Sequence, residues 1–379
     1  MEPVRYYTNT NPDGSVTQVH IADIHFGAID PSVEYEILRD QFLIPISKFK
    51  FDILAIDGDL FDKKFLANSP VVMYAMTFVR NCVDLCIANN ATLVILAGTE
   101  SHDAGQLSLF YGMEQFGVDI RIVEHLQFEY IKGLKVLCIP EEYGKGAEYY
   151  AEYMCNVYDC VFMHGTVVGS VYGANRYVLD TKKAPVFNMD AFCGCRGPII
   201  AGHVHKAACI DKYIYYTSNP IRYKFGEEEE KGYAIVLMNQ NGHFYKFMPI
   251  KSFRYDTIKI EDIQYGDPND IINYLNNLLA CGIDHVRIDF SGKNDQTAQS
   301  LVEKYYASNP NVAIKRYTET TNQKDIINEE ASNKYSEMEF LLDPSTDSFT
   351  KFVNFVNQSE GKVILTVQQL KDILSGKPF

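Results

Sequence analysis

Apolar and polar positions along the chain fall into two alternating rhythms. Runs such as VTQVHIA, FDILAI and ATLVILA are almost continuously apolar, the mark of a buried strand. The stretches between them place apolar residues three and four apart, as a helix does. This predicts strand 16–22, helix 33–48, strand 52–57, a long helix over 70–90, strand 92–97, helix 106–116 and strand 118–123. Strands alternating with helices in this way form an α/β sheet. Segments 128–131 and 135–139 flank a Lys-Gly turn and read as a hairpin, and a helix over 147–156 precedes strand 159–163. The stretch 198–250 holds the short runs PIIAG, AACID, YIYYT, GYAIVLM and HFYKFMPI. They read as an antiparallel second sheet packed on the first.

The rhythm changes near residue 255. From there the order is strand, helix, strand, helix, strand, a separate small α+β domain, with helix starts at Asp267-Pro268 and Asn294-Asp295. After Tyr317 the polar run TETTNQKD reads as a linker, and 325–379 is helix-like. Within it Phe349, Phe352, Val353 and Val356 form a stripe at helical spacing. The stripe suits packing on the preceding domain or docking to a partner. Residues 1–15, polar and with a Pro-Asp-Gly turn, form an extension before the first strand.

A length of 379 residues allows about two or three domains with ample core. No apolar run is expected to approach the ~20 residues of a membrane span. The N-terminus lacks the apolar core of a signal peptide. Nine cysteines without framework or zinc spacing read as reduced thiols, so a cytoplasmic location is expected. A net charge of −14 argues against gripping nucleic acid by charge alone. Bound metal or a partner chain could supply the missing positive charge.

Chemistry enters at the ends of the apolar runs. Asp23-Ile24-His25, Gly58-Asp59, Ser101-His102-Asp103, His164-Gly165 and Gly202-His203-Val204-His205 each follow one, and they hold five of the nine histidines. A strand end holds a side chain rigidly and leaves its tip free. Asp with neutral His suits divalent Mn, Fe or Zn. Residues separated by one position, such as Asp23 and His25 or His203 and His205, point the same way from an extended strand end. Gly58 allows the sharp turn that would project Asp59, and one Asp can bridge two ions. Two ions ~3.5–4 Å apart activate water and clamp a transferring phosphorus centre. The ordered set carries this signal, not any single motif.

The order DxH, GD, (N/S)HD, HG, GHxH resembles the calcineurin-like metallophosphoesterases. GDLFDKK, and YYTSNPIRYKFGEEEEKGYAIV after the last motif, resemble the Mre11/SbcD nucleases more narrowly. The resemblance covers about 16–320. It implies a two-sheet α/β metallophosphoesterase sandwich flanked by helices over 16–254, a small α+β capping domain over 255–320, and a linker with a helical partner-binding tail over 321–379. It implies that Asp23, His25 and His205 bind one metal, His164 and His203 the other, and Asp59 both. His102 would assist the transition state or leaving oxygen, with Asp103 orienting it, and Asp62 would approach the scissile phosphate. The ions would be two divalent cations, Mn2+ first, with Mg2+, Fe2+ or Zn2+ as alternatives.

The third motif departs from the family's Gly-Asn-His-(Asp/Glu). Here it reads Gly98-Thr99-Glu100-Ser101-His102-Asp103, two residues longer and without the Asn that binds the second metal. Ser101 takes that place by register, and Glu100 is the better oxygen donor. Either one, or a water, could complete the site. The resemblance also implies a homodimer that works on DNA ends, single strands or hairpins with a Rad50/SbcC-like SMC ATPase, without a membrane. Val71, Tyr74, Ala75, Phe78 and Val79 could form the dimer face or ordinary core. The expected activity is exonuclease and endonuclease or hairpin-opening cleavage in DNA end processing, repair or recombination. The rival readings are a phosphatase or small-molecule phosphodiesterase of the same fold, and a non-catalytic DNA-end-binding scaffold.

Overall fold

The five apolar runs become central strands of two mixed sheets. A computed structural model describes residues 14–103, 105–172, 176–177 and 184–316, with backbone alone for 171–172 and 176–177. Most of the expected N-terminal extension and the linker and tail over 321–379, with the Phe349 stripe, lie outside the described residues. In chain order the strands are β1 (Val16–Ile21), β2 (Ile53–Asp57), β3 (Thr92–Leu96), β4 (Asp119–Val123), β5 (Gln127–Ile131), β6 (Leu134–Ile139) and β7 (Cys160–His164). Four two-residue strands follow, β8 (Thr166–Val167), β9 (Val171–Tyr172), β10 (Arg176–Tyr177) and β11 (Val186–Phe187). Then come β12 (Ile199–Gly202), β13 (Ala208–Ile210), β14 (Ile214–Tyr216), β15 (Lys231–Asn239), β16 (Gly242–Ile250), β17 (Tyr255–Lys259), β18 (His285–Asp289) and β19 (Val312–Lys315). The α-helices are α1 (Pro31–Leu38), α2 (Ile44–Ile46), α3 (Pro70–Asn89), α4 (Glu100–Asp103), α5 (Ala147–Met154), α6 (Pro268–Ala280) and α7 (Gln296–Ser308).

The first sheet has the order β16-β15-β1-β2-β3-β4, and the second β13-β14-β12-β7-β6-β5. Strands β1 to β4 run parallel, as do β6, β7, β12 and β14. Ile53, Ala55, Val94 and Leu96 from the first sheet share one core with Val136, Cys138, Cys160, Phe162 and Ile200 from the second. The alternate residues Leu54, Ile56, Leu93 and Ile95 pack with α3, and Val161 and Met163 pack with α5. Strands covered on both faces have no polar side, so their runs are continuously apolar.

The region 198–250 does not form the expected antiparallel second sheet. β12 and β14 lie parallel within the second sheet, whereas β15 pairs antiparallel with β1 and carries β16 to the edge of the first. The expected helix over 106–116 is two short 3-10 turns, Leu107–Phe110 and Met113–Phe116, because Gly112 turns left-handed (φ 86°) between them. The helix expected over 33–48 runs Pro31–Ile46, with a π turn at Arg39–Leu43. The wider turn accommodates Pro45, which has no N–H to give.

α3 starts at a Ser69 cap with Pro70 behind it and ends at Asn90 in the left-handed region. Its twenty residues are long and apolar enough to cross a membrane, contrary to the expectation that no stretch approaches this. Its buried face, Val72, Ala75, Phe78, Val79, Cys82, Val83 and Cys86, belongs to the core under the first sheet, which accounts for the composition. Ala75, Phe78 and Val79 are therefore core, and Val71 and Tyr74 pack against it.

β17, β18 and β19 form a parallel three-stranded sheet crossed by α6 and α7. Asp267 and Asp270 make a capping box at α6, and Asp295 caps α7. Among the described residues, β17 to β19 group with the two large sheets in one compact unit.

Candidate metal centre

Parallel strands put their C-terminal ends on one rim, where open α/β sheets place their ligands. From that rim β1 leads to Asp23 and His25, β2 to Asp59 and Asp62, β3 to Thr99, His102 and Asp103, and β6 to Glu141. β7 ends in His164, and β12 leads to His203 and His205.

The backbone there is not extended. Asp23, His25, Asp59 and His203 have φ of 53°, 54°, 51° and 85°. Left-handed conformations in such residues carry about 1–3 kcal/mol of strain each and persist only where neighbours hold them. Here the loops after β1 and β2 lie side by side. Asp23 N donates to Gly58 O, His25 N to Asp59 O and Phe26 N to Leu60 O, at 2.9–3.0 Å. Asp23 and His25 thus converge by curling of the loop, not by the strand alternation expected. Gly58 (φ 91°) also lies so near His164 that a methyl group would overlap the imidazole. At Gly98 it would overlap Asp59.

Four overlapping groups of donor atoms result among the described residues, including His25 with Asp62 and His102, and Asp23 with Asp59 and His164; ligand atoms within each lie within 4.8 Å of one another, and two of the groups flank Asp59. One is Asp23, His25 and His205. His25 Nε2 and His205 Nε2 face each other at 3.0 Å, and Asp23 Oδ1 is 3.9 Å from His205 Nε2. The other is Glu141, His164 and His203. Glu141 Oε2 is 3.1 Å from His203 Nδ1 and 3.7 Å from His164 Nε2. Asp59 Oδ2 lies between them, 3.3 Å from His164 Nε2 and 3.8 Å from His25 Nε2. Donors each about 2.1 Å from one ion stand about 3.0–4.2 Å apart, from right-angle to opposed ligands. The spacing therefore fits divalent ions. Buried His164 Nε2 and Glu141 Oε1 have no hydrogen-bond partner among the described residues.

A second layer sets the rings. Carbonyls only accept, so His164 Nδ1 donates to Asp57 O (2.9 Å) and leaves Nε2 bare. His102 Nδ1 likewise meets Phe61 O at 3.2 Å. Glu227 Oε1 is 3.4 Å from His205 Nδ1, and the buried Lys231 ammonium donates to His205 O at 2.7 Å. His203 N donates to both Asp23 oxygens. Thr99 ties the two groups. Its N–H donates to Asp59 Oδ1, and its hydroxyl lies 3.2 Å from Asp59 Oδ2 and 3.1 Å from Glu141 Oε2.

Burial pushes His25 down to about 3, with His205 and His102 adding and Asp59 opposing, so its ring is neutral, the ligating form. Burial raises Asp23. Burial would also raise Asp59, but His164 and His25 outweigh it and hold Asp59 below its ordinary value. Burial would lower His164, yet Asp59, Asp23 and Glu141 raise it well above the ordinary range. Three carboxylates around one ring demand positive charge, which a proton or a divalent cation satisfies.

Asp23, His25, Asp59, His164, His203 and His205 are brought together, with His102 and Asp62 beside His25. Asp103 is placed otherwise than expected. Its carboxylate accepts from Gly98, Leu60 and Phe61 N–H groups and makes no recorded bond to His102. It orients His102 only through Phe61. Burial, then the charge of Asp59, pushes Asp103 up to about 7. Glu100 and Ser101 are both exposed on α4, and Glu100 belongs to none of the converging groups of acidic and histidine side chains among the described residues. Glu141 was missed, although LKVLCI-Pro-Glu has the same form as the other motifs, an apolar run followed by a carboxylate. Thr99 and Glu227 carry no comparable signal.

No family model matches the chain, and no curated protein matches it. Among solved structures it is similar to a point mutant of a cold-active protein tyrosine phosphatase. That likeness has 11% identity and a TM-score of 0.30, over 62% of this chain and 80% of the other. The cold-active protein-tyrosine phosphatase of a psychrophilic Shewanella is similar at 11% identity and a TM-score of 0.28, with the same coverage. Likenesses at these scores leave the site to be read from its own geometry.

Proposed function

We propose that the chain is a two-metal phosphodiesterase of the Mre11/SbcD type that cuts DNA. The observation that carries this reading is the convergence of two donor groups on either side of Asp59, all from strand ends of two facing sheets. The same arrangement supports reading the two sheets as a metallophosphoesterase sandwich and β17 to β19 as its capping domain. Asp23, His25 and His205 would hold one ion, and His164 and His203 the other, with Asp59 between. Mn2+ suits this mixture of carboxylate and imidazole. Bound there, the ions would supply the positive charge and the water activation that phosphodiester hydrolysis needs.

The chain's own groups do the rest. Asp57 O and Glu227 hold His164 and His205 in ligating orientation. Asp23 and His164 are fully buried, whereas the His203 and His205 side chains are 21% and 29% exposed, so a phosphodiester reaches the cluster from their side. His102, half-buried with Nδ1 engaged at Phe61 O, has Nε2 left to move a proton at the leaving oxygen. A homodimer, an SMC-like ATPase partner and a cytoplasmic setting belong to this proposal, and an ATPase would offset the chain's negative charge on DNA.

The test is cleavage of double-stranded ends, single strands and hairpins in Mn2+, beside para-nitrophenyl phosphate esters. Cutting of DNA is expected. Hydrolysis of the small esters alone would replace the nuclease by a phosphatase, and no hydrolysis despite two bound ions would favour a scaffold.

A further inference from the structure

We infer that Glu141 is the second ion's carboxylate ligand, so that the donor which the third motif lacks is supplied from the end of a different strand, β6. This rests on the two-metal reading above and specifies its second site. Three observations carry it. Glu141 Oε2 stands at ligand spacing from both His203 Nδ1 (3.1 Å) and His164 Nε2 (3.7 Å). His164 is completely buried, its Nδ1 is committed to Asp57 O, and its Nε2 points into the same space without a hydrogen-bond partner among the described residues. Glu141 itself is 6% exposed and sits with the buried Asp59 and Asp23, an arrangement that costs free energy unless a cation joins it.

The Thr99 hydroxyl contacts both Asp59 Oδ2 and Glu141 Oε2, which fixes the two carboxylates relative to each other. The third motif therefore contributes a hydroxyl that positions ligands, and β6 contributes the ligand. A carboxylate in place of a neutral donor adds a full negative charge to the second site. That favours hard cations and tighter retention of the second ion.

The experiment is Mn2+ titration of the full chain after chelation, read by calorimetry and by the magnetic coupling between two close Mn2+ ions in electron paramagnetic resonance. Wild type should bind two ions and show coupling. Glu141→Gln should bind one ion tightly, hold the second about tenfold or more weaker, and lose the coupling. Glu100→Gln and Ser101→Ala should match wild type. A folded circular-dichroism spectrum and a cooperative melt of Glu141→Gln in chelator separate lost ligation from misfolding. If that variant misfolds, Glu141→Asp, which withdraws the carboxylate by one methylene, should show the same loss. Two ions of unchanged affinity in a folded Glu141 variant would overturn the inference, as would loss of the second ion in Glu100→Gln or Ser101→Ala. Wild type that binds no Mn2+ would overturn this and the two-metal reading together. Two bound ions without DNA cleavage would leave Glu141 in place and remove only the nuclease.

Discussion

Glu34 on α1 has its carboxyl out of water, with one oxygen accepting from Gly27 N (3.1 Å) and the other 3.3 Å from the Tyr223 hydroxyl. Tyr223 also contacts Ile24 O, which can only accept, so a protonated Glu34 completes the chain of donors. Burial raises Glu34 well above its ordinary value of 4.5. A folded value above the unfolded one means that the stabilisation is complete below 4.5 and is lost as pH rises through the folded value. Glu34→Gln mimics the protonated form. Its melting temperature should therefore gain on wild type as pH rises from acid to mildly alkaline, and a gap independent of pH would show that Glu34 does not titrate. At His102 the expected result is kinetic. His102→Ala should lose about 10²–10⁴-fold in cleavage while still binding two Mn2+, and loss of an ion would make His102 a ligand instead. At this scale the Asp and His residues of the cluster were legible because strand ends announce them. Glu141 ends its run in the same way, but Glu100 lay nearer the third motif and drew the reading away from it. The turn of α4 that exposes Glu100 has no signature in the letters.

Elements were easier to read than their neighbours. The strands longer than two residues were visible in the apolar runs, whereas the two-residue strands β8 to β11 were not, because so short a pairing leaves no pattern. Pairing was not visible either, because β15 chooses β1 through contacts more than 200 residues away in sequence, as in Val19 with Ile235. α3 shows the same limit. Its apolar face suits a partner or a core equally well until packing decides. Phe78 is fully buried against Phe26 and Phe42. Phe78→Ala should cost about 3–5 kcal/mol in urea unfolding. A cost within about 0.5 kcal/mol of zero would take this face out of the core.

For the molecule as a whole, the centre joins the two sheets, so whatever binds there bears on their union. With free ion at a hundred times its dissociation constant, each site should add about 2.7 kcal/mol to stability. Chelator should accordingly lower the melting temperature, and Mn2+ should restore it. A melting temperature indifferent to both would mean that the cluster holds no ion under those conditions. The net charge of −14 is legible only as a total. The gathering of Asp23, Asp59 and Glu141 into one pocket is a property of topology.

The four left-handed residues at the rim bear on transplantation. Asp23, His25, Asp59 and His203 aim their side chains only because paired loops and close-fitting glycines bend the chain beneath them. Grafting the same side chains onto the straight strand ends of another protein would reproduce the composition of this site without its aim. A designer copying it would have to copy the backbone first.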